Sequence, residues 1–175
     1  MTYTKTTWVS GVTPVSAANQ NHLETQYDEA VSDTLIRVVK QADEIVNNSV
    51  VLQNDDELLF PVAANEIWTG LFLMRVFTDP AADFKFLFVV PAGAVMTGYF
   101  SNAGAVGYTA EMDFTALGYF PNGGVSAFTA SRLFYFAYIG AAAAGNVQLQ
   151  WAQNAADVSD TKLLQGSSIL AWDQA

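Results

Sequence analysis

At 175 residues the chain is long enough for one domain with an appendage and scarcely long enough for two ordinary domains. Hydrophobic residues make up 51% and charged residues 14%, against roughly 25% charged in ordinary soluble domains, so more apolar surface is expected than one monomer can hide. A formal charge of −10, with 17 acidic residues and 7 scattered basic ones, offers no basic patch for phosphates and argues against nucleic acid as a partner, while the absence of cysteine excludes disulfides and thiolate metal sites.

The opening MTYTKTTWVSGV contains no apolar stretch of the kind a secretory signal uses. Residues 8–31 then predict an extended connector and one helix. Pro14 ends the extended approach, Ser16 is placed as an N-cap, and Leu23, Tyr27, Ala30 and Val31 recur at helical spacing as one narrow apolar stripe. About four turns with a single stripe are marginal in water, so this helix must pack on something. Residues 1–33 therefore read as an arm, and residues 34–175 as a separate domain.

From residue 33 onward, short segments rich in Val, Ile, Phe, Tyr, Trp and Thr alternate with Gly, Pro, Asn and Asp, the pattern of an all-β sandwich or barrel. Strands are predicted over residues 34–40, 44–52 and 57–62, with turn chemistry at residues 53–56 and Pro61 arguing against a central position for the third. Residues 66–77, EIWTGLFLMRVF, are apolar on both faces. Trp68, Phe72, Met74 and Val76 share one face, and Ile67, Leu71, Leu73 and Phe77 share the other, as in a strand buried at a subunit interface or under a helix. A Pro-containing turn at residues 78–82 leads to a strand over 83–90, with Phe84, Phe86, Phe88 and Val90 facing one way.

Further strands are expected over residues 95–101, 108–114, 126–131, 133–139, 146–153 and 168–172. Ala141–Ala144, between Gly140 and Gly145, reads as a tight hairpin connection. The fold class is thus all-β, a jelly-roll-like two-sheet sandwich of about eight to ten strands preceded by one short N-terminal helix. The uncharged runs 86–110 and 133–156 are broken by Pro and Gly or polarised by Asn and Gln, so neither is expected to span a membrane as a helix.

Candidate chemistry is sparse. His22 is the one histidine, which leaves Ser-His-Asp systems and most zinc sites little to build on, and it reads as a packing or surface residue. Asp55, Asp56 and Glu57 lack the alternating spacing and the glycine of an EF-hand loop and read as a solvated hairpin tip. Glu111/Asp113 and Asp157/Asp160 are the carboxylate pairs a glycosidase would need, yet polar strand faces account for the first pair without catalysis. Gly98, Gly104, Gly107, Gly123 and Gly124 lack the Lys-Ser/Thr of a phosphate-binding loop and read as turn glycines. Tyr99, Tyr108, Tyr119 and Trp151 could stack on sugars, although core filling is the stronger reading for aromatic strand residues. No catalytic residue, cofactor or metal ion is expected, and the protein is read as non-enzymatic.

Two segments carry a resemblance. Trp8-Val9-Ser10-Gly11-Val12-Thr13-Pro14, followed by Ser16-Ala17-Ala18-Asn19-Gln20-Asn21 and Glu24, resembles the N-terminal segment of many tailed-bacteriophage virion proteins, in which a Trp-x-x-Gly-x-Thr-Pro run leads into an Asn-rich helix start. Gln20 stands where that helix start more often carries an apolar residue. Leu58-x-Phe60-x-Val62-Ala63-Ala64-Asn65, Asp83-Phe84-Lys85-Phe86, Pro91-Ala92-Gly93, Gln148 to Asn154 and Leu164-x-Gly166-Ser167 are similar to a β-rich module of phage structural proteins.

The resemblance implies a virion component assembled as a homotrimer, with the major capsid protein or another virion protein as partner. A capsid decoration or cement protein comes first. The alternative is a tail or head fibre module that binds a host receptor or glycan. On this reading Trp8, Val12, Pro14, Leu23 and Tyr27 are the attachment or oligomer-interface residues, being apolar groups on a segment too small to bury them internally.

Overall fold

In a computed structural model of the chain, residues 20, 21, 23, 25, 27, 35–101, 112, 113, 115, 118–120 and 128–174 are described. The chain divides into two compact units, Met1–Leu35 and Ile36–Ala175. In the first, Gln20, Asn21, Leu23, Thr25 and Tyr27 have helical backbone, and the Thr25 hydroxyl donates to the Asn21 carbonyl at 2.8 Å.

The second unit is built by residues that alternate inward and outward, the period that a pleated strand imposes. Among the described residues twelve strands follow in chain order: β1 (Leu35–Val39), β2 (Glu44–Val46), β3 (Gln53–Val62), β4 (Ile67–Thr78), β5 (Phe84–Val89), β6 (Val95–Ser101), β7 (Met112–Asp113), β8 (Gly118–Phe120), β9 (Phe128–Ile139), β10 (Gly145–Gln153), β11 (Thr161–Leu163) and β12 (Ser168–Asp173). They form two antiparallel sheets. The larger runs β1-β12-β4-β9-β6-β7, with β11 joining β2 to β4, and the smaller runs β3-β10-β5-β8.

The pairings are nested. β1 pairs with β12 and β2 with β11 in the larger sheet, then β3 with β10, β4 with β9, and β5 with β8, and from β2–β11 inward successive pairs alternate between the two sheets. The chain thus behaves as one long hairpin rolled over itself, with β6 and β7 inserted at its inner end and added beyond β9.

The sheets meet through aromatic rings. Trp68, Phe72, Met74 and Val76 are buried, as the alternation of β4 predicts, and they face Phe60, Phe86 and Phe88 of the smaller sheet. Phe72 lies 4.3 Å from Phe88 between ring centroids, Phe60 lies 5.8 Å from Trp68, and Phe86 lies 5.3 Å from Phe134. Gly70 leaves room for one of these rings: a Cβ there would sit 2.5 Å from the Phe136 ring.

Several expectations are corrected. The separate strands expected over residues 126–131 and 133–139 are replaced, from Phe128 onward, by one twelve-residue strand, β9, because Arg132 continues the ladder opposite Met74. Residues 141–144 are not a hairpin connection, since β9 and β10 lie in different sheets and the segment carries the chain from one to the other. Gly98 is not in a turn; it lies inside β6 opposite Phe136. The second strand stops at Val46, and β3 starts at Gln53 instead of Glu57, with its pairing to β10 slipping between Gln148 and Gln150 so that residues 55–58 bulge out. Pro61 lies in β3, an edge strand, where its missing N–H is tolerated.

Candidate interaction surface

The outer face of the larger sheet is built from the positions that the core leaves over. Across β4, β9 and β6, Ile67, Ile139 and Val95 stand side by side as one rung of the ladder. The next rung is Trp172, Thr69, Ala137 and Thr97, and the one after it Leu170, Leu71, Tyr135 and Tyr99. Ile67, Val95, Tyr99, Tyr135, Ile139 and Trp172 are exposed, while Leu71 and Leu170 on the third of these rungs, and Leu73 and Leu133 on the rung beyond it, are half-buried. None of these residues is charged. At the border, Asp113 of β7 stands opposite Thr97 and accepts hydrogen bonds from the Thr115 N–H and hydroxyl.

Between Tyr99, Tyr135, Thr69 and Thr97 lies a shallow trough of about 300 Å³, with Gly70, Gly98 and Phe136 also lining it. The smaller sheet is built differently. Its outward positions include Asn54, Lys85, Asn146, Gln148 and Gln150, and Gln150 donates to Asn54 at 2.7 Å. The smaller sheet therefore mixes amides and a lysine with Leu59, Leu87 and Val89 on its outer face, whereas β12, β4, β9 and β6 of the larger sheet present a continuous patch of rings and aliphatic side chains. Such a contiguous apolar face marks an interaction surface, whereas single exposed apolar residues do not.

A second cluster lies inside the domain. Lys40, directly after β1, is 1% exposed, and its Nζ donates to Glu44 Oε2 and Asp55 Oδ2, both at 2.8 Å. Asp55 Oδ1 accepts the N–H groups of Glu57 and Leu58 at 3.0 and 2.6 Å, which fixes the β3 bulge, and Gln53 donates to the other oxygen of Glu44 at 2.6 Å. The Lys40 main chain also bonds both ways with the 164–167 turn, through Ser167 O and Gly166 N.

Burial opposes the charge on Lys40, but hydrogen bonds to Asp55 and Glu44 outweigh it and raise its pKa above 10.5. Burial also works against ionisation of Asp55, and its bonds to Lys40, Leu58 and Glu57 outweigh that, holding the carboxyl below its usual value. For Glu44 burial prevails, reinforced by Asp55 and opposed by Lys40, and its pKa is raised. This network ties β1, β2, β3 and the 164–167 turn together, and its groups are consumed by one another.

Comparisons of the chain with known family models, curated proteins and solved structures gave no match.

The residues singled out from the sequence are scattered over the molecule. Trp8, Val12, Pro14 and His22 lie outside the described residues, as do Tyr108, Glu111, Gly104, Gly107, Gly123 and Gly124 and the side chain of Tyr119; Leu23 is 40% and Tyr27 70% exposed. The Asp55-Asp56-Glu57 cluster is not a hairpin tip: Asp55 is buried because Lys40 neutralises it. Trp151 is not available to a sugar, being fully buried with its ring 5.5 Å from that of Phe84, whereas Tyr99 is exposed.

Asp157 accepts a hydrogen bond from the Ser159 N–H, and Asp160 pairs with Lys162 at 3.3 Å. Among the described residues no group of three or more His, Asp or Glu is placed to hold a metal ion, and no helix is long and apolar enough to cross a membrane. Tyr135, Ile139, Val95 and Trp172 were missed as surface residues. The alternation of Leu133, Tyr135, Ala137 and Ile139 against Phe134, Phe136 and Tyr138 was the signal that could have found them.

Proposed function

We propose that this chain is a non-enzymatic structural component of a tailed-phage virion, in first place a capsid decoration or cement protein that assembles as a homo-oligomer through its β-domain and docks by its N-terminal arm. Its β-domain is a jelly roll on this reading, because nested strand pairs that alternate between two sheets from β2–β11 inward are the connectivity of a rolled hairpin of that kind, a fold used by capsid and lectin domains. A short helix in the arm, around Gln20 to Tyr27, completes the architecture.

The observation that carries the reading is the uncharged apolar patch on the outer face of the larger sheet, on three adjoining rungs of β12, β4, β9 and β6, which suits a protein whose work is burial against neighbours. Each contact would gain about 25 cal/mol per Å² of apolar area removed from water, and repetition around a symmetric lattice turns modest contacts into lasting ones. The resemblance of residues 8–24 to phage virion N-terminal segments supplies the arm's role. The test is deletion of residues 1–32. The truncated chain is expected to remain a folded oligomer that no longer associates with capsids, and retained capsid association contradicts the proposal.

The trough beside Tyr99 and Tyr135, rimmed by the Thr69 and Thr97 side chains, favours a second reading, a fibre module that stacks a host glycan on tyrosine. Glycan-array binding by the full chain, lost on Tyr99→Ala, would select it over the first.

A further inference from the structure

We infer that the outer face of β12, β4, β9 and β6 is the surface on which a second copy of this same chain packs. The inference rests on the homo-oligomer reading above and names the contact that such an assembly uses. The first support is area. Six side chains on three adjoining rungs, Ile67, Val95, Tyr99, Tyr135, Ile139 and Trp172, are 38–55% exposed. At about 150–250 Å² for a whole aromatic side chain, scaled down for the aliphatic ones, they present about 500 Å², and the half-buried leucines beside them bring the face to about 700 Å². The largest apolar patch of an ordinary monomer is about 300–600 Å². A standard stable interface takes about 800 Å² from each partner, so this one face comes close to supplying it.

The second support is charge. With a formal charge of −10, two copies repel each other over most of their surfaces, so the occupant can be another acidic copy only where the contact is neutral. The three rungs carry no charge, and Asp113 stands at the rim. An uncharged aromatic centre with a polar rim is the anatomy of a protein interface.

The third support is geometry: side chains of two packed sheet faces interdigitate at about 10 Å separation, and a patch that meets its own copy makes an isologous contact. Tyr99 and Tyr135, directly opposite each other on neighbouring strands, occupy the middle of the apolar area. Exposed rings of this kind are the usual energetic anchors of an interface.

The experiment is sedimentation equilibrium of the full chain at physiological ionic strength, comparing wild type with Tyr135→Glu, Tyr99→Lys and a control, Val158→Glu, whose side chain is 83% exposed away from this face. Far-UV circular dichroism checks that each variant is folded, and having two independent positions keeps the test valid if one variant fails. Wild type and the control are expected at a multiple of 18.9 kDa, and the two tyrosine variants at 18.9 kDa, with the dissociation constant raised about 30-fold or more.

A wild-type oligomer unaffected by both tyrosine variants overturns the inference and leaves the homo-oligomer reading standing. A wild type at 18.9 kDa overturns both, whether or not the monomer then binds a glycan. Neither result touches the arm's docking role, which the deletion of residues 1–32 tests separately.

Discussion

Replacing Asp55 by alanine removes the centre of the buried charge network. Asp55 Oδ2 is paired with Lys40 at 2.8 Å, with both side chains essentially inaccessible, and Oδ1 holds two backbone N–H groups of the β3 bulge. Breaking a buried pair by deleting one partner costs about 3–5 kcal/mol, because the other charge is left without compensation. Glu44 still accepts from Lys40, which moderates the loss, while the freed N–H groups of Glu57 and Leu58 add to it. The expected destabilisation is therefore about 3–5 kcal/mol, which for a domain of this size lowers Tm by about 6–20 °C.

Urea unfolding at fixed protein concentration, followed by tryptophan fluorescence, measures it; the midpoint should fall with the slope unchanged. Asp160→Ala is the internal control. Its pair with Lys162 is partly exposed and should be worth less than about 1 kcal/mol. If Asp55→Ala costs no more than Asp160→Ala, the claim that this network locks the end of the sandwich is refuted.

The pH dependence of the unfolding midpoint should show opposing carboxylates: Asp55, with a lowered folded pKa, contributes stability that is present above about pH 4 and lost as pH falls through its folded value, whereas Glu44, with a raised one, gains on protonation. Stability is thus expected to hold or rise slightly from neutral to mildly acid pH and then fall below about pH 4, with the fall diminished in Asp55→Ala; the Lys40 contribution is complete below about pH 10.4 and is lost only as pH rises through its raised value. Gly70→Ala would press a methyl group into the Phe136 ring and the Leu170 carbonyl, and should cost about 1–3 kcal/mol in the same urea assay; a neutral result would mean that the ring has space to move.

Alternation made much of the sheet legible in advance. In residues 67–78 the buried set Trp68, Phe72, Met74 and Val76 could be read from the sequence because a central strand leaves its two faces no other periodicity. The bulge in β3 was less legible: Asn54, Asp55 and Asp56 look like a turn, and only a cation from residue 40, far away in sequence, turns Asp55 into a buried strand residue. The same long reach hid β11, three residues whose place is set by β2 and β4.

The apolar outer face was half legible, since one strand that is apolar on both sides already hints at a neighbour. Its extent was not, because it depends on register: Tyr135 meets Tyr99, and Thr69 meets Trp172, only through ladders that sequence does not specify. Trp151 follows the core-filling reading of its strand.

Electron cryo-microscopy of the assembled particle tests the central claim most directly. A structural component that packs copy on copy should appear as density of sandwich size on the virion, with neighbouring sandwiches in contact through the faces that carry Tyr99 and Tyr135. Particles without such density, or isolated sandwiches with those faces open to solvent, would contradict the account.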